Sequence, residues 1–173
     1  MTSTDLMAVI NRVPGFSQEM IEISQNLFQN EGFQSWFLTS EASVLLVNGY
    51  HRQHEFSPIS TMSTTAVYIM NQLLDVGSRP GRSVAFMHFF CGLHFVDENR
   101  LKLMMKAFIL QLVPILNEHG CLDIGFINRE GYIENLQSGR PTALLDMIRQ
   151  LCYSLDPHHT VYCFVDGISL FED

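Results

Sequence analysis

Three continuous apolar runs, each closed by turn residues or a polar stretch and separated by helix-patterned sequence, constrain the fold of this chain most. They are Ser43–Val47 (SVLLV), Ser83–Phe90 (SVAFMHFF) and the apolar part of Thr160–Gly167 (TVYCFVDG). A strand covered on both faces reads as an unbroken apolar run, whereas a half-exposed strand alternates. Between the first two runs, Ala66, Ile69, Met70 and Leu73 recur at helical spacing. Between the second and third, Leu101 to Leu116 is apolar nearly all round and calls for cover on more than one side. After Pro141, which suits a first helical position, Leu144, Met147, Ile148, Leu151 and Leu155 form another stripe.

Buried strands alternating with helices argue for a parallel sheet with right-handed crossovers. The expected class is therefore α/β, with about three parallel strands in the order first, third, second and helices on both faces. A helical lead-in is expected over residues 1–40 and the α/β core over residues 41–173. In the lead-in, Ser17 can cap a helix carrying Met20, Ile23 and Leu27, and "EGFQSWFLTS" offers Phe33, Trp36 and Phe37 on one side. Asp97 is expected to cap the long helix, and residues 117–139 are polar with one helical turn at "YIENL".

The chain has 173 residues, the size of one ordinary domain. Apolar residues make up 47% and charged residues 16%, which supplies a core but leaves a thin polar surface. Such a surface suits a protein partner or the remainder of a larger chain. The net charge of -8 repels nucleic acid and anionic membranes, and no Lys/Arg cluster overrides it. Cys91, Cys121, Cys152 and Cys163 lack CxxC spacing and read as reduced thiols of a cytoplasmic protein. The first residues carry no basic region of a signal peptide. Lys102, Lys106, Gln111 and Pro114 interrupt the longest apolar segment, so it reads as a core helix rather than a membrane span.

The first run ends in Asn48-Gly49 and leads through a loop into a helix, the layout of a phosphate-binding loop. Such a loop needs small residues around the phosphate, a Lys for its charge and a Ser or Thr for magnesium. Counted from Gly49, the positions for Gly, Lys and Ser/Thr fall on His54, Glu55 and Phe56. Two unit charges about 4 Å apart at an effective dielectric near 20 interact by about 4 kcal/mol, so exchanging Lys for Glu shifts binding by up to about 8 kcal/mol. A helix N-terminus returns only about 0.3–2 kcal/mol. The loss wins wherever Glu55 faces the phosphate. In a shifted register Ser60 or Thr61 could meet the phosphate and its metal, with Arg52 the nearest positive group and Asp166, at the end of the third run, as the magnesium-organising carboxylate. Against that role, Asp-Gly is also simply a good turn at a strand end.

Two other constellations have the right residue types. Cys91 and His94 in "CGLH", with His158, His159 and Asp166, could form a thiol hydrolase, which requires a base within hydrogen-bond reach of the nucleophile. The same Cys91, His94 and His158/His159 are candidate zinc ligands, although adjacent histidines diverge in extended chain. His51 and His54 flank the loop as solvated residues, and His88 is expected in the core.

Taken in order, "FQSWFLTSEASVLLVNG", "VAFMHFFCGLH", "MMKAFILQLV", "LLDMIRQLCYSL" and "VYCFVDGISLFE" resemble the front part of a NACHT-type nucleotide-binding domain. The similarity is to the STAND-class signalling proteins of filamentous fungi, and it spans roughly residues 30–172. The resemblance implies a P-loop fold, with the first run as the Walker A strand and the third as the Walker B strand. It also implies a switch between a closed resting state and an open oligomeric one. This sequence departs from the pattern at the phosphate loop and again after Gly167, where Ser169 and Leu170 occupy the places of an acidic pair. Acidic residues return only at Glu172 and Asp173. The expectation is a degenerate, non-hydrolysing interaction or regulatory module without a resident cofactor, binding ATP or ADP with magnesium weakly if at all. Asn48, Gly49, Ser60, Thr61 and Asp166 would be its vestigial site. An ATP-binding switch with a displaced loop and a Cys/His hydrolase are the alternatives.

Overall fold

The computed structural model describes residues 2–12, 18–39, 41–47, 59–77, 83–94, 96–156 and 158–171. Seven α-helices and two strands occur among them: α1 (Thr2–Arg12), α2 (Gln18–Gln29), α3 (Glu31–Leu38), α4 (Thr61–Gly77), β1 (Ser83–Phe90), α5 (Arg100–Glu118), α6 (Tyr132–Gln137), α7 (Pro141–Tyr153) and β2 (His159–Asp166). Short 3-10 turns follow both strands, at Cys91–His94 and Ile168–Phe171.

The two strands pair in parallel with no stagger, from Ser83 opposite His159 to Phe90 opposite Asp166. The second and third apolar runs are therefore neighbours, and the class is α/β. Alternation along β1 divides its side chains between two helical layers. Met87, Phe89 and Cys91 pack with Ala107, Phe108, Leu112 and Leu116 of α5 and with Met147 and Leu151 of α7. On the other side, Phe90 packs with Val9 of α1 and with Val67 and Met70 of α4. Phe86 and Phe164 continue that side into a third cluster with Phe33 of α3 and with Ile69 and Leu73 of α4. Leu112, Leu116 and Leu151 are fully buried, and each contributes about 1.5–3 kcal/mol through removal of its surface from water.

The start of α5 differs from the simplest expectation. Asn99, not Asp97, stands at its N-cap position, and it makes no side-chain capping bond. The side chain of Asp97 faces His94 instead. The long helix is covered by β1 and α7, while Leu101 and Leu110 remain exposed.

The first apolar run is a correction to the expected sheet. Among the described residues the sheet has two strands, and residues 42–47 form neither strand nor helix. Val44 is 95% exposed and Leu46 81%. An apolar run becomes a buried strand only where a neighbour supplies both a hydrogen-bond ladder and side-chain cover, and here only Leu45 finds cover, in the cluster around Phe33. The third run also differs. No residue of β2 is fully buried, and from Tyr162 onward half-buried and exposed positions alternate. That is the pattern of a strand with one face packed and the other uncovered, rather than one buried on both faces.

The opposite edge is closed by a side chain. The Gln111 amide, carried on α5, accepts from the His88 backbone N–H at 3.0 Å and donates to the His88 carbonyl at 2.9 Å. A buried glutamine thus stands in for one pair of ladder bonds, which blunts β1 as an edge.

Candidate functional site at the carboxyl edge of the sheet

Two parallel strands without stagger bring their last residues to one edge, the edge at which ligands bind in open α/β sheets. Phe90 and Asp166 end the strands side by side, Cys91 follows β1 directly, and the N-terminus of α4 faces Asp166. Beyond Asp166 the chain turns through Gly167, whose φ of +71° lies in the left-handed region, where a side chain would be strained.

The start of α4 explains how its hydroxyls are aimed. The Ser63 N–H donates to Ser60 Oγ at 3.0 Å, and the Ser60 N–H donates to Ser63 Oγ at 2.9 Å. This reciprocal pair is a capping box in which serine takes the place usually held by Glu or Gln. It fixes the Ser63 hydroxyl, which donates to Asp166 Oδ2 at 2.5 Å. Ser60 Oγ lies 3.1 Å from Ser63 Oγ, so the two serines and the carboxylate form a chain of oxygens at a helix N-terminus. Thr64 turns back onto the Thr61 carbonyl at 2.8 Å. Thr65 is fully buried, and its hydroxyl has no hydrogen-bond partner.

Of the sequence-derived residues, Ser60 and Asp166 are brought together through Ser63, and Thr61 contributes a backbone carbonyl to the same turn. Ser63 was not among the expected residues. The signal for it was present, because a residue three places after an N-cap serine points back at the cap. Asn48, Gly49, Arg52, His54, Glu55 and Phe56 lie outside the described residues, as do Glu172 and Asp173.

A serine hydroxyl and a carboxylate are hard oxygen ligands that suit magnesium, and a helix N-terminus suits a phosphate. No lysine belongs to this edge, since the chain's two lysines, Lys102 and Lys106, both sit on α5, and Arg52 lies outside the described residues. The residues therefore fit a metal better than they fit a polyphosphate.

Cys91 is fully buried. Burial first, and the nearby Asp166 charge second, push its thiol from 9.0 up to about 12. A nucleophilic cysteine needs the opposite shift. His94 turns both ring nitrogens toward carboxylates, Nε2 to Asp5 Oδ2 at 2.8 Å and Nδ1 to Asp97 Oδ2 at 3.5 Å, while its ring stacks on Phe89 at 4.8 Å. His159 pairs with Ser83 at the far end of the sheet, about 23 Å from the carboxyl edge at about 3.3 Å per residue. The Cys/His hydrolase set and the Cys91–His94–His158/His159 zinc set are therefore not assembled. Among the described residues no group of three or more His, Cys, Asp or Glu side chains could hold a metal ion.

A surface cleft of about 620 Å³ lies away from this edge, between the segment after α5 and the end of α7, lined by Cys121, Asp123, Phe126, Arg129, Gln150 and Tyr153 among others. Its Arg129 faces Asp146 at 3.6 Å, and no residue of the expected site lines it. Among the described residues no helix is long and apolar enough to cross a membrane. No protein-family model, curated protein or solved structure matches the chain.

Proposed function

We propose that this chain is a degenerate P-loop-type module of the NACHT/STAND class, acting through protein contacts as an interaction or regulatory element and not through ATP hydrolysis. The observation that carries the reading is the hydrogen bond from Ser63 to Asp166. It sets a hydroxyl at the N-terminus of the helix after the first apolar run against a carboxylate at the end of the third. That is where a magnesium-binding pair belongs in the family the sequence resembles. The hydroxyl–carboxylate pair persists while the loop that should supply a lysine carries Glu55, so magnesium with ATP or ADP is at most a weak ligand. The oxygens of Ser63 and Asp166 would hold the metal, whose charge would offset that of the phosphates. Exposed Val44 and Leu46 supply apolar surface for protein contacts, with the remainder of a larger chain or another copy as the class of partner. A full P-loop sheet, with the first run as a strand, belongs to this proposal.

A second reading is an ATP-dependent switch whose phosphate loop is displaced toward the helix. The serine chain from Ser60 through Ser63 to Asp166 favours it. Phosphate release from MgATP separates the two. The first reading expects a rate no higher than that of the Asp166→Ala variant, and turnover that this substitution abolishes establishes the second.

A further inference from the structure

We propose that the cleft between the segment after α5 and the end of α7 binds a short zwitterionic peptide, two or three residues long, with free ends and an aromatic side chain. The cleft has a volume of about 620 Å³, within the range of small-ligand sites. It shares no lining residue with the carboxyl edge, so the proposal is independent of magnesium or nucleotide there.

Two opposite charges set the polarity of the ligand. Asp123 and Arg129 line the same wall. The Gly125 N–H donates to Asp123 Oδ1 at 2.8 Å, which orients the carboxylate and leaves Oδ2 for a ligand. Arg129 meets Asp146 only at 3.6 Å, beyond the usual range of about 2.7–3.2 Å for an N–H···O bond, so its fork of donors is available to a carboxylate. A singly charged ligand would be attracted by one of these groups and repelled by the other. A zwitterion meets an opposite charge at each end.

The spacing of the charges sets the length of the ligand. Between Asp123 and Arg129 the chain runs through the 3-10 turn Gly125–Asn128. At about 2.0 Å per residue in that geometry, their backbones lie on the order of 12 Å apart. Extended chain spans only about 3.3–3.6 Å per residue. A single amino acid falls short, whereas two or three residues bridge the gap once the long Arg129 side chain is counted.

Uncharged groups set the middle of the ligand. Phe126 on that wall and Tyr153 on α7 contribute aromatic rings from the two sides of the cleft. Tyr153 is 77% exposed, so an aromatic side chain stacked on it removes apolar surface from water. Gln150, also on α7, reaches Asp146 only at 3.5 Å, and its amide matches the donor and acceptor of a peptide group. Bound in this way, the peptide ties the segment after α5 to the end of α7.

The test is calorimetric titration of the whole chain with the tripeptide glycyl-phenylalanyl-glycine. Saturable one-to-one binding is expected. Amidating the carboxyl end should weaken it at least about threefold, the scale of one exposed ion pair. Arg129→Gln should do the same, and the two changes together should cost no more than either alone. Acetylating the amino end and Asp123→Asn should form a second such pair. Replacing the phenylalanine by alanine should weaken binding at least about fivefold. Backbone amide shifts on binding should be confined to residues 121–129 and 150–154. No saturable binding up to about 10 mM, binding indifferent to amidation and acetylation, or shifts centred elsewhere would each overturn the proposal. The peptide analogues leave the protein unchanged, so they decide the matter even where a variant folds poorly.

Discussion

Ser63 and Asp166, 103 residues apart, meet through a hydroxyl-to-carboxylate hydrogen bond that ties the first turn of α4 to the end of β2. The bond is local in geometry but long-range in sequence, so it holds the carboxyl edge in register. A hydrogen bond to a charged group contributes about 1.5–3 kcal/mol. Ser63→Ala should lower unfolding stability in urea by about 1–3 kcal/mol, and Thr61→Ala should change it by less than about 0.5 kcal/mol. Equal effects of the two substitutions would show that Ser63 has no special place at this edge.

Gln111 closes the outer edge of β1, and its two-way pairing with His88 makes a sharper test than deletion. Gln111→Glu keeps the acceptor for the His88 N–H but sets a carboxylate oxygen against the His88 carbonyl. It should cost more than Gln111→Met, which removes both bonds while keeping a similar volume and costs about 1–3 kcal/mol. Denaturant midpoints of the two variants decide this. Gln111→Glu as stable as the wild type would remove the edge-closing role.

How much of this architecture was legible depends on whether a signal was local. The run SVAFMHFF coincides with β1, and Pro141 opens α7, because strand composition and proline's fixed φ act within a few residues. The spacing of Met20, Ile23 and Leu27 likewise falls within α2. The Ser43–Val47 run carries equally strong strand composition, yet its state depends on a partner edge that no local pattern encodes. The lead-in was legible as helical, but α1, which buries Val9 against α4 and β1, was not resolved within it. At the site, Asp166 could be read from its strand end. Selecting Ser63 over Ser60 and Thr61 required the cap geometry at the start of α4.

The Cys91 thiol ties alkaline stability to the site. Its folded pKa, raised from 9.0 to about 12, lies above the value an unfolded chain shows. The stabilisation is therefore fully present below pH about 9 and is lost as pH rises toward 12, at about 1.4 kcal/mol per pH unit from this group. Cys91→Ala should flatten the alkaline fall in stability, and a thiol reagent at neutral pH should label Cys152 before Cys91. Labelling of Cys91 first, in the folded state, would reinstate the nucleophile it was expected to be in the hydrolase alternative.

His94 joins α1 to the carboxyl edge through Asp5. Asp5→Asn and His94→Gln should each loosen α1 relative to the sheet, raising amide exchange in residues 5–11 by about 5–30-fold, the equivalent of about 1–2 kcal/mol. Unchanged exchange in both variants would mean that Val9 and Leu6 hold the helix alone.

In the proposed module the Ser60–Ser63–Asp166 edge would be a residual magnesium–phosphate site. Calorimetric titration of the purified chain with ATP and ADP, with and without magnesium, tests it most directly. Binding no tighter than millimolar is expected, and any heat that does appear should require both magnesium and Asp166. Micromolar, magnesium-dependent binding would contradict it and make the chain a nucleotide switch.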